Sequence, residues 1–451
     1  MSEECIIEKP STTPSGGWSD LWKKEDYWAV WLGLGVVAAA ILLWLTGSTF
    51  MKWVAISVPS YTDFGKATTY LSSHVGGIFG LYLFFLILFA VAIKVLGHKL
   101  SQFIPGFTVL FIMSIVVTVV GSWDVMKKYN LEAPLLALAV GLIIGNFVKL
   151  PRFMDASLRT EFFVKTGIVL MGATLPFTLI MQSGPMAFLQ ATIIAVTTYL
   201  TIYWAGTRLF GLNKRYAATL AAGGSICGVS ASIAIGGAVK ADKQDVCVSI
   251  SLVIVWAIVM IFALPVFIKA LGIAPGPAGA WIGTSEFADA AGMAAAASIN
   301  EQAIKTFTLM KVVGRDMFVG IWCFIMAYIS ITKWEKREDG TKPKAGEMWT
   351  RFPKFVLGFF VASIIITILV ASVDAATSKA ITAQIISPIK ELRGWAFIFT
   401  FLSIGLTTRF KDLTSVGWKP FAAFTTGVFV NVPLGYLLSV VVMGGYWAMV
   451  K

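Results

Sequence analysis

Charged side chains and histidine are scarce in this sequence. Only 13% of the 451 residues are charged, against about 25% in an average soluble domain, which excludes a soluble globular protein. The two histidines, His74 and His98, are too few and too far apart for a zinc or haem site. The four cysteines show no paired spacing, so neither a disulfide framework nor a cysteine metal site is expected. We therefore expect no resident metal or cofactor.

Long apolar runs are abundant instead. Hydrophobic residues make up 57% of the chain, and runs near 20 residues, the length that crosses a bilayer, recur along it. The sequence predicts an all-α polytopic membrane protein with about 11 transmembrane helices and two interrupted or re-entrant segments. The predicted spans are 27–47, 77–97, 104–122, 133–148, 163–182, 186–207, 246–268, 307–332, 355–372, 394–408 and 421–445.

The basic residues, which give a net charge of +12, are distributed as a topology signal. With the amino terminus inside, most of them fall in cytoplasmic segments, where lysine and arginine are enriched. Residues 1–26 lack a signal-peptide pattern and predict a cytoplasmic tail. The charged loop 333–354 predicts a cytoplasmic connector between a membrane domain, 27–332, and the C-terminal helices, 355–451. We expect a multi-pass protein of the bacterial inner membrane that contacts lipid and binds no nucleic acid.

Two segments, 216–239 and 280–302, are unusually rich in glycine, alanine and serine for membrane helices. Folded as hairpins, each arm would extend ~18 Å and reach the midplane of a ~30 Å apolar core. Basic residues flank the first segment, so it is expected to enter from the cytoplasm and the second from outside. Helices that cross the membrane but are broken in the middle are the alternative.

A short repeat connects residues 172–188 with residues 405–421. The predicted topology makes the two stretches antiparallel, as an inverted repeat of a secondary transporter requires. The identical pairs are Gly172/Gly405, Thr174/Thr407, Phe177/Phe410, Gly184/Gly417 and Phe188/Phe421.

The first glycine-rich segment contains the tract "GGSICGVSAS", residues 223–232. Unwound backbone at membrane depth costs several kcal/mol per unpaired group unless it is buried in protein or lines a wet cavity. Its freed N–H groups can hold an anion at the positive end of a half-helix. The alternative is close helix packing through Gly224 and Gly228. The candidate substrate-binding residues are Gly223, Gly224, Ser225, Cys227, Gly228 and Ser230.

The second segment places Gly283, Thr284 and Ser285 directly before two acids, Glu286 and Asp289. The first three residues are candidate substrate ligands. Acids at membrane depth are expensive and usually mark ion or proton paths, so both are candidate coupling sites for H⁺ or Na⁺. The alternative for Glu286 is a solvated position near the external surface.

Two basic residues, Lys311 and Arg315, follow on one face of the next predicted helix. They are candidate contacts for a bound anion. The alternative is a structural ion pair with Glu286, Asp289 or the adjacent Asp316.

The stretches "KTGIVLMGATL" (165–175), "LFGLNKR" before the glycine tract, and 220–265 around it resemble the YeiH-like sulfate exporter family, over about 130–320. The resemblance implies a secondary transporter with inverted repeats that exports a sulfur oxyanion such as sulfate. Ser225, Cys227, Gly228, the Gly283–Ser285 triplet and Lys311 fall on its motif positions. After that triplet the family shows a histidine, an acid and a glutamine, whereas this chain has Phe287, Ala288 and Ala291.

Together these features predict a secondary active transporter that exports a small anion, a sulfur oxyanion (sulfate or sulfite) or a sulfonate, by alternating access. A cation-coupled carboxylate symporter and an anion channel are the alternatives. We do not expect an enzyme, because no histidine lies within the membrane to activate Ser225 or Cys227. Its expected partners are the anion and the bilayer, and a homodimer is left open.

Overall fold

The computed structural model describes residues 20–128, 133–316, 319–334, 354–409 and 417–450, and all regular elements among these residues are helical. Most of the predicted tail 1–26 and of the predicted loop 333–354 lies outside the described residues, as does Phe410 of the predicted repeat. The first helices are α1 (Asp20–Lys23), α2 (Glu25–Leu45), α3 (Phe50–Val54), α4 (Phe64–Ser73), α5 (Val75–Val95), α6 (Leu100–Gly121), α7 (Asp124–Lys128), α8 (Ala133–Phe147), α9 (Thr160–Gly172) and α10 (Phe177–Trp204).

The helices that follow include several short ones. They are α11 (Lys214–Ser225), α12 (Val229–Ala238), α13 (Lys243–Ala270), α14 (Pro275–Ser285), α15 (Asp289–Ala297), α16 (Glu301–Thr308), α17 (Val319–Ile329), α18 (Lys354–Ala371), α19 (Ala375–Ile381), α20 (Ser387–Thr407), α21 (Trp418–Tyr436) and α22 (Gly444–Met449). Turns of π-helix extend five of them, at Ala205–Leu209, Leu309–Val313, Ser330–Trp334, Thr382–Ile386 and Leu437–Val442.

Seven of the helices are long and apolar enough to cross a membrane, by length and composition, in the part of the chain that the structure describes. A shorter apolar helix covers Leu135–Phe147. The predicted span 163–182 is not one helix, because α9 ends at Gly172 and the chain turns before Pro176, a residue that disfavours helical backbone in its predecessor. The candidate spans are Glu25–Leu45, Val75–Val95, Leu100–Gly121, Phe177–Leu209, Gln244–Ala270, Lys354–Ala371 and Trp418–Val442.

The chain divides into two compact units, each built from segments that are separate in sequence. Unit 1 contains the described residues within Gln182–Pro353 and Phe410–Lys451. Unit 2 contains Trp18–Met181 and Lys354–Arg409.

Aromatic rings and glycines pack the interior of unit 2. Phe89 lies 4.9 Å from Phe163, and Phe85 lies 5.1 Å from Phe399, ring centre to ring centre. Gly141 of α8 lies directly against the backbone of α20. Small residues at helix contacts are typical of membrane bundles, where lipid is as apolar as the side chains and close van der Waals packing must hold the helices together.

In unit 1, the segment 216–239 folds back on itself as two antiparallel helices, α11 and α12, which we call hairpin 1. Contacts along both arms define the fold. The Arg215 guanidinium donates to the Lys240 carbonyl at 3.3 Å, Gly236 lies against Thr219, and Gly223 lies against Ser232.

The segment 280–302 also reverses direction, and we call α14 and α15 hairpin 2. Gly279 of α14 lies against Ala303, and Gly283, one turn later, lies against Phe307 of α16. Because α14 and α16 therefore run parallel, α15 between them returns in the opposite direction. The 28-residue helix α13 separates the two hairpins, so they open at opposite ends of it.

The cysteines differ from the sequence-based expectation. Cys227, in hairpin 1, is a buried thiol outside any disulfide, whereas Cys247 of α13 is disulfide-bonded. The spacing of the cysteines does not predict this bond, although one bonded cysteine is not a disulfide framework. Pairing needs two cysteines whose Cα atoms lie within about 7 Å, and the packing of distant helices, which sequence spacing does not report, decides that distance.

Candidate functional site

The tip of hairpin 1 is a three-residue break between two half-helices. The Asn213 side chain caps the start of α11 by accepting the N–H groups of Arg215 and Tyr216 at 2.8 and 3.1 Å, and α11 ends at Ser225. Gly228 has a φ of 74°, a conformation that side-chain-bearing residues rarely adopt, and it precedes the first residue of α12. The first N–H groups of α12 consequently begin at the tip, where no preceding turn accepts them.

The tip of hairpin 2 is similar but lacks a glycine. Helix α14 starts at Pro275, whose fixed φ suits a first helical position. It ends at Ser285, and the backbone is extended at Glu286 and Ala288 before α15 starts at Asp289. Hairpin 2 therefore also presents the carboxyl end of one half-helix and the amino end of another at its tip.

The two tips touch. A Cβ atom at Gly228 would overlap the carbonyl oxygen of Phe287, so glycine is required by space as well as by φ. The Phe287 ring packs edge-on against Phe424 of α21, with ring centres 5.4 Å apart. Phe287 therefore contacts Gly228 through its backbone and α21 through its ring.

Gly223 and Gly224, which we predict to bind substrate, lie in the last turn of α11. Their N–H groups belong to a helical turn, whose hydrogen bonds are internal. Gly223 faces Ser232, and Gly224 faces Ile202 of α10 and Phe424. These contacts fit the close-packing alternative. Ser230 lies in α12, and its side chain lies outside the described part of the chain.

Arg315 joins the carboxyl ends of both half-helices. Its side chain is 3% exposed. One terminal nitrogen donates to the carbonyl oxygens of Gly283 and Thr284, each at 3.0 Å. The other donates to the carbonyl oxygen of Ser225 at 2.6 Å. The last carbonyls of a helix have no partner inside it and carry its partial negative charge. Arg315 thus satisfies and neutralises the ends of α11 and α14.

Lys311, in the π-helical turn after α16, reaches the same place. It is fully buried, and its Nζ donates to the carbonyl oxygens of Glu286 at 3.0 Å and Ile226 at 3.3 Å. It also lies 3.5 Å from Asp289 Oδ1 as an ion pair. The contacts of both basic side chains are therefore with the protein backbone and an acid, which fits the structural alternative.

The two candidate coupling acids differ in surroundings. Glu286 is 0% exposed, so it is not a solvated surface residue. Its Oε1 accepts the Ala288 N–H at 3.2 Å, while its Oε2 is buried with no hydrogen-bond partner among the described residues. The Asp289 side chain is 17% exposed. Asp316 is a third acid and is buried. The three acids outnumber Lys311 and Arg315, so the cluster has a net negative charge when all five groups are ionised.

Three serine hydroxyls at the tips are buried without a hydrogen-bond partner among the residues the structure describes: Ser225, Ser232 and Ser285. Ser232 faces Gly223, and Ser285 faces Gly435 of α21. Ser225 differs, because it lines a cavity of about 170 Å³.

The cavity is the part of the site that sequence reasoning missed. Apart from Ser225 and Tyr199, apolar side chains line it. They come from α10, hairpin 1 and α17: Ala195, Val196, Leu200, Ile226, Ile235, Trp322, Ile325, Met326 and Ile329. The hydropathy of α10 and α17 predicts membrane helices and carries no signal that their faces leave a void.

Comparison with known proteins identifies the family. The model of the family described as Conserved hypothetical protein 698 matches residues 105–424 of this chain. The chain belongs to that family. The matched region contains both hairpins, Lys311 and Arg315.

The similar relatives of this family bear the name UPF0324 membrane protein. That of Rhodopirellula baltica is 34% identical over 372 residues, covering 82% of this chain and 68% of the relative. That of Nitrosomonas europaea is 32% identical over 451 residues, covering 89% and 91%. One from Nitratidesulfovibrio vulgaris is 31% identical, and this chain spans 60% of its length. No solved structure matches.

These names and the seven apolar spans agree on a multi-pass, helical membrane protein of the Conserved hypothetical protein 698 family. No group of three or more histidine, cysteine, aspartate or glutamate side chains that could hold a metal ion occurs within the described ranges. The structure gathers Glu286, Asp289, Lys311 and Arg315 at the hairpin tips, with Asp316 next to Arg315 in the chain.

Proposed function

We propose that the protein is a secondary active transporter that moves a small anion by alternating access. The observation that carries this proposal is the meeting of two broken helices at a buried group of charged residues. Charged side chains at membrane depth are costly and mark substrate or ion pathways. Discontinuous helices that present their ends to one another near the midplane are typical of substrate and ion sites in transporters.

The amino ends of α12 and α15 are the proposed anion-binding groups. The first turn of each helix lies at a tip and carries a partial positive charge. Gly228 directly precedes the first residue of α12. Cys227 lies in the same break, next to Ser225 at the end of α11, and Thr284 and Ser285 end α14. A sulfur oxyanion or a sulfonate, moved outward, is the substrate that the resemblance to YeiH-like exporters supports.

Glu286 and Asp289 are the proposed coupling residues. A buried carboxylate oxygen without a partner is expensive, so binding of H⁺ or Na⁺ there would be favourable. Cation binding would also remove the negative excess of the cluster, which otherwise opposes an incoming anion. This links cation binding and anion binding without any contact between the two ligands.

We also propose an architecture of eleven spans with the amino terminus in the cytoplasm of a bacterial inner membrane. It adds α8, α9, the α16–α17 pair and α20 to the seven apolar helices. The stretches 172–188 and 405–421 both contain a boundary between unit 1 and unit 2, which supports an inverted repeat. Hairpin 1 would enter from the cytoplasm and hairpin 2 from outside, and two copies would form a homodimer.

A Na⁺-coupled carboxylate symporter is the second candidate. The excess of acids over bases among Glu286, Asp289, Asp316, Lys311 and Arg315 favours it, because a cation is then needed before a carboxylate can bind. In both candidates the protein acts as a carrier and not as an enzyme.

Reconstitution into proteoliposomes tests the proposal. Uptake of labelled sulfate and methanesulfonate, driven by a pH gradient, should saturate and proceed against the anion gradient. Gly228→Val should abolish it, while Gly272→Val, which changes a glycine with open space around it, should not. Flux that follows voltage without saturation indicates a channel. Accumulation of succinate with Na⁺, and of neither sulfur anion, indicates the symporter.

A further inference from the structure

The cavity beside hairpin 1 has the size and lining of a site for a compact apolar group. Its volume is about 170 Å³. An enclosed cavity of about 150 Å³ with leucine, isoleucine and phenylalanine walls binds benzene. This cavity is of similar size but partly open, since Leu200 and Ile325 in its walls are 57% and 38% exposed. Polar side chains contribute little to the lining, since only Ser225 and Tyr199 carry hydroxyls.

Two residues that line the cavity also contact the buried basic side chains. Ser225 and Ile226 line the cavity. The carbonyl oxygen of Ser225 accepts from Arg315, and that of Ile226 accepts from Lys311. An anionic group held at the break would therefore have the cavity directly beside it.

We propose that the cavity receives the hydrocarbon part of the transported substrate, which is an organic anion with one compact aromatic or branched aliphatic group. This inference rests on the proposed transport function and names its substrate class. The anionic head would lie at the break in hairpin 1, where the Ser225 hydroxyl has no partner among the described residues. The apolar group would lie between Ala195 of α10 and Ile325 of α17.

Of the aromatic column that adjoins this cavity, only Tyr199 lines it. Tyr199 stacks on Tyr203 with ring centres 6.2 Å apart, and Tyr203 stacks on Trp334 at 6.1 Å. The Tyr199 hydroxyl donates to Met326 Sδ at 3.2 Å. Aromatic faces and a polarisable thioether bind apolar and aromatic groups well and lose little by leaving water. An inorganic oxyanion would gain nothing from these walls.

The test compares two sulfonates that differ only in the apolar group. Binding of methanesulfonate and benzenesulfonate to the purified full-length protein in lipid nanodiscs is measured by thermal shift and by competition with labelled sulfate. Burial of the ring should lower the Kd for benzenesulfonate by about tenfold or more relative to methanesulfonate. Ile325→Phe should remove this preference and leave methanesulfonate binding unchanged.

Ile321→Phe is the matched control, because Ile321 is on the same helix, is 43% exposed and does not line the cavity. It should keep the preference. Ala195→Phe fills the cavity from α10 and should also remove the preference. It therefore serves as the test if Ile325→Phe fails to fold.

Three results would overturn the inference while leaving the transport proposal intact. They are equal affinity for both sulfonates, a preference that survives both cavity-filling changes, and a copurified lipid, seen by native mass spectrometry, that Ile325→Phe releases. Failure of sulfate, methanesulfonate and benzenesulfonate alike to bind would instead overturn the proposed function, and this inference with it.

Discussion

At the scale of single residues, the buried basic side chains hold the carboxyl ends of two half-helices. Arg315 contacts three carbonyl oxygens and Lys311 contacts two. Each hydrogen bond to a charged group contributes about 1.5–3 kcal/mol, and leaving a buried carbonyl unsatisfied costs a similar amount. Both residues therefore stabilise the breaks of the two hairpins.

Arg315→Met should lower the free energy of unfolding by about 3 kcal/mol or more, because three helix-terminal carbonyls lose their donor and the neighbouring acids lose a counter-charge. Arg315→Lys should recover part of the loss, since lysine keeps the charge but cannot span both helix ends. Thermal unfolding in nanodiscs measures this. A methionine variant as stable as the wild type would show that the contacts with Gly283, Thr284 and Ser225 contribute nothing.

Glu286→Gln should uncouple transport from the driving cation. The amide keeps an oxygen for the Ala288 N–H, but it cannot take up a proton or carry a negative charge. Exchange of labelled anion for unlabelled anion should continue, while its dependence on pH or Na⁺ should disappear. Asp242→Asn, at an exposed residue before α13, is the control. Full gradient-driven transport by the Glu286→Gln variant would exclude this acid as the coupling site.

At the scale of the element, each hairpin is two short helices that could not be stable alone. Isolated helices shorter than about 12–15 residues are marginal, and α12 and α15 have 10 and 9 residues. They are stable here because each packs along its partner arm and against a long neighbour. Packing against those neighbours therefore determines where each break lies and which backbone groups are at the tip.

Gly228→Ala tests the contact between the tips. Any side chain at its positive φ costs roughly 1 kcal/mol, and this one would also overlap the Phe287 carbonyl. Gly272→Ala supplies the matched control, because Gly272 has a φ of 63° and open space around it. We expect a small loss of stability at 272, and a larger loss together with failed anion binding at 228. Equal losses of stability at both positions would show that the backbone shifts to relieve the overlap at no further cost.

Single-cysteine labelling tests the two hairpins as re-entrant elements. In a cysteine-free background, Lys240→Cys should react with an impermeant thiol reagent only from the cytoplasm. Gly272→Cys and Asn300→Cys should both react only from outside. Asn300 labelled from the side opposite to Gly272 would show that α14 and α15 cross the membrane instead of returning.

At the scale of the whole molecule, each unit is assembled from segments that are far apart in the chain. The last helices, α21 and α22, belong to unit 1 with residues 182–353. In unit 1, the Gln190 side chain of α10 donates to the Ser439 hydroxyl at 2.7 Å, and the Trp447 indole of α22 donates to Gln190 Oε1 at 2.8 Å. These bonds attach α22 and the turn before it to the unit that contains both hairpins.

Eleven spans and a cytoplasmic amino terminus predict an external carboxyl terminus. Alkaline phosphatase fused after Lys451 should be active, because it folds only outside the cytoplasm, and green fluorescent protein fused at the same place should be dark. The opposite result from both reporters would require an even number of spans or a reversed orientation.

The sequence alone was sufficient for the membrane class, the positions of most spans and the two broken segments. These follow from local composition: apolar runs of sufficient length, and glycine, serine and alanine where helical backbone is interrupted. It also singled out Glu286, Asp289, Lys311 and Arg315, because charge is conspicuous in an apolar stretch. It did not predict the break between α9 and α10, although Pro176 was a signal for it.

Only the tertiary structure decided which of those residues are in contact. Arg315 and Ser225 are 90 positions apart, and nothing local brings them within hydrogen-bonding distance. The roles of Gly223 and Gly224 in packing, the contact of Gly228 with Phe287 and the cavity along α10 and α17 likewise depend on which helix faces meet. Several helices in this chain are apolar on all sides, so hydropathy does not distinguish their faces, and close packing of small residues selects the contacts.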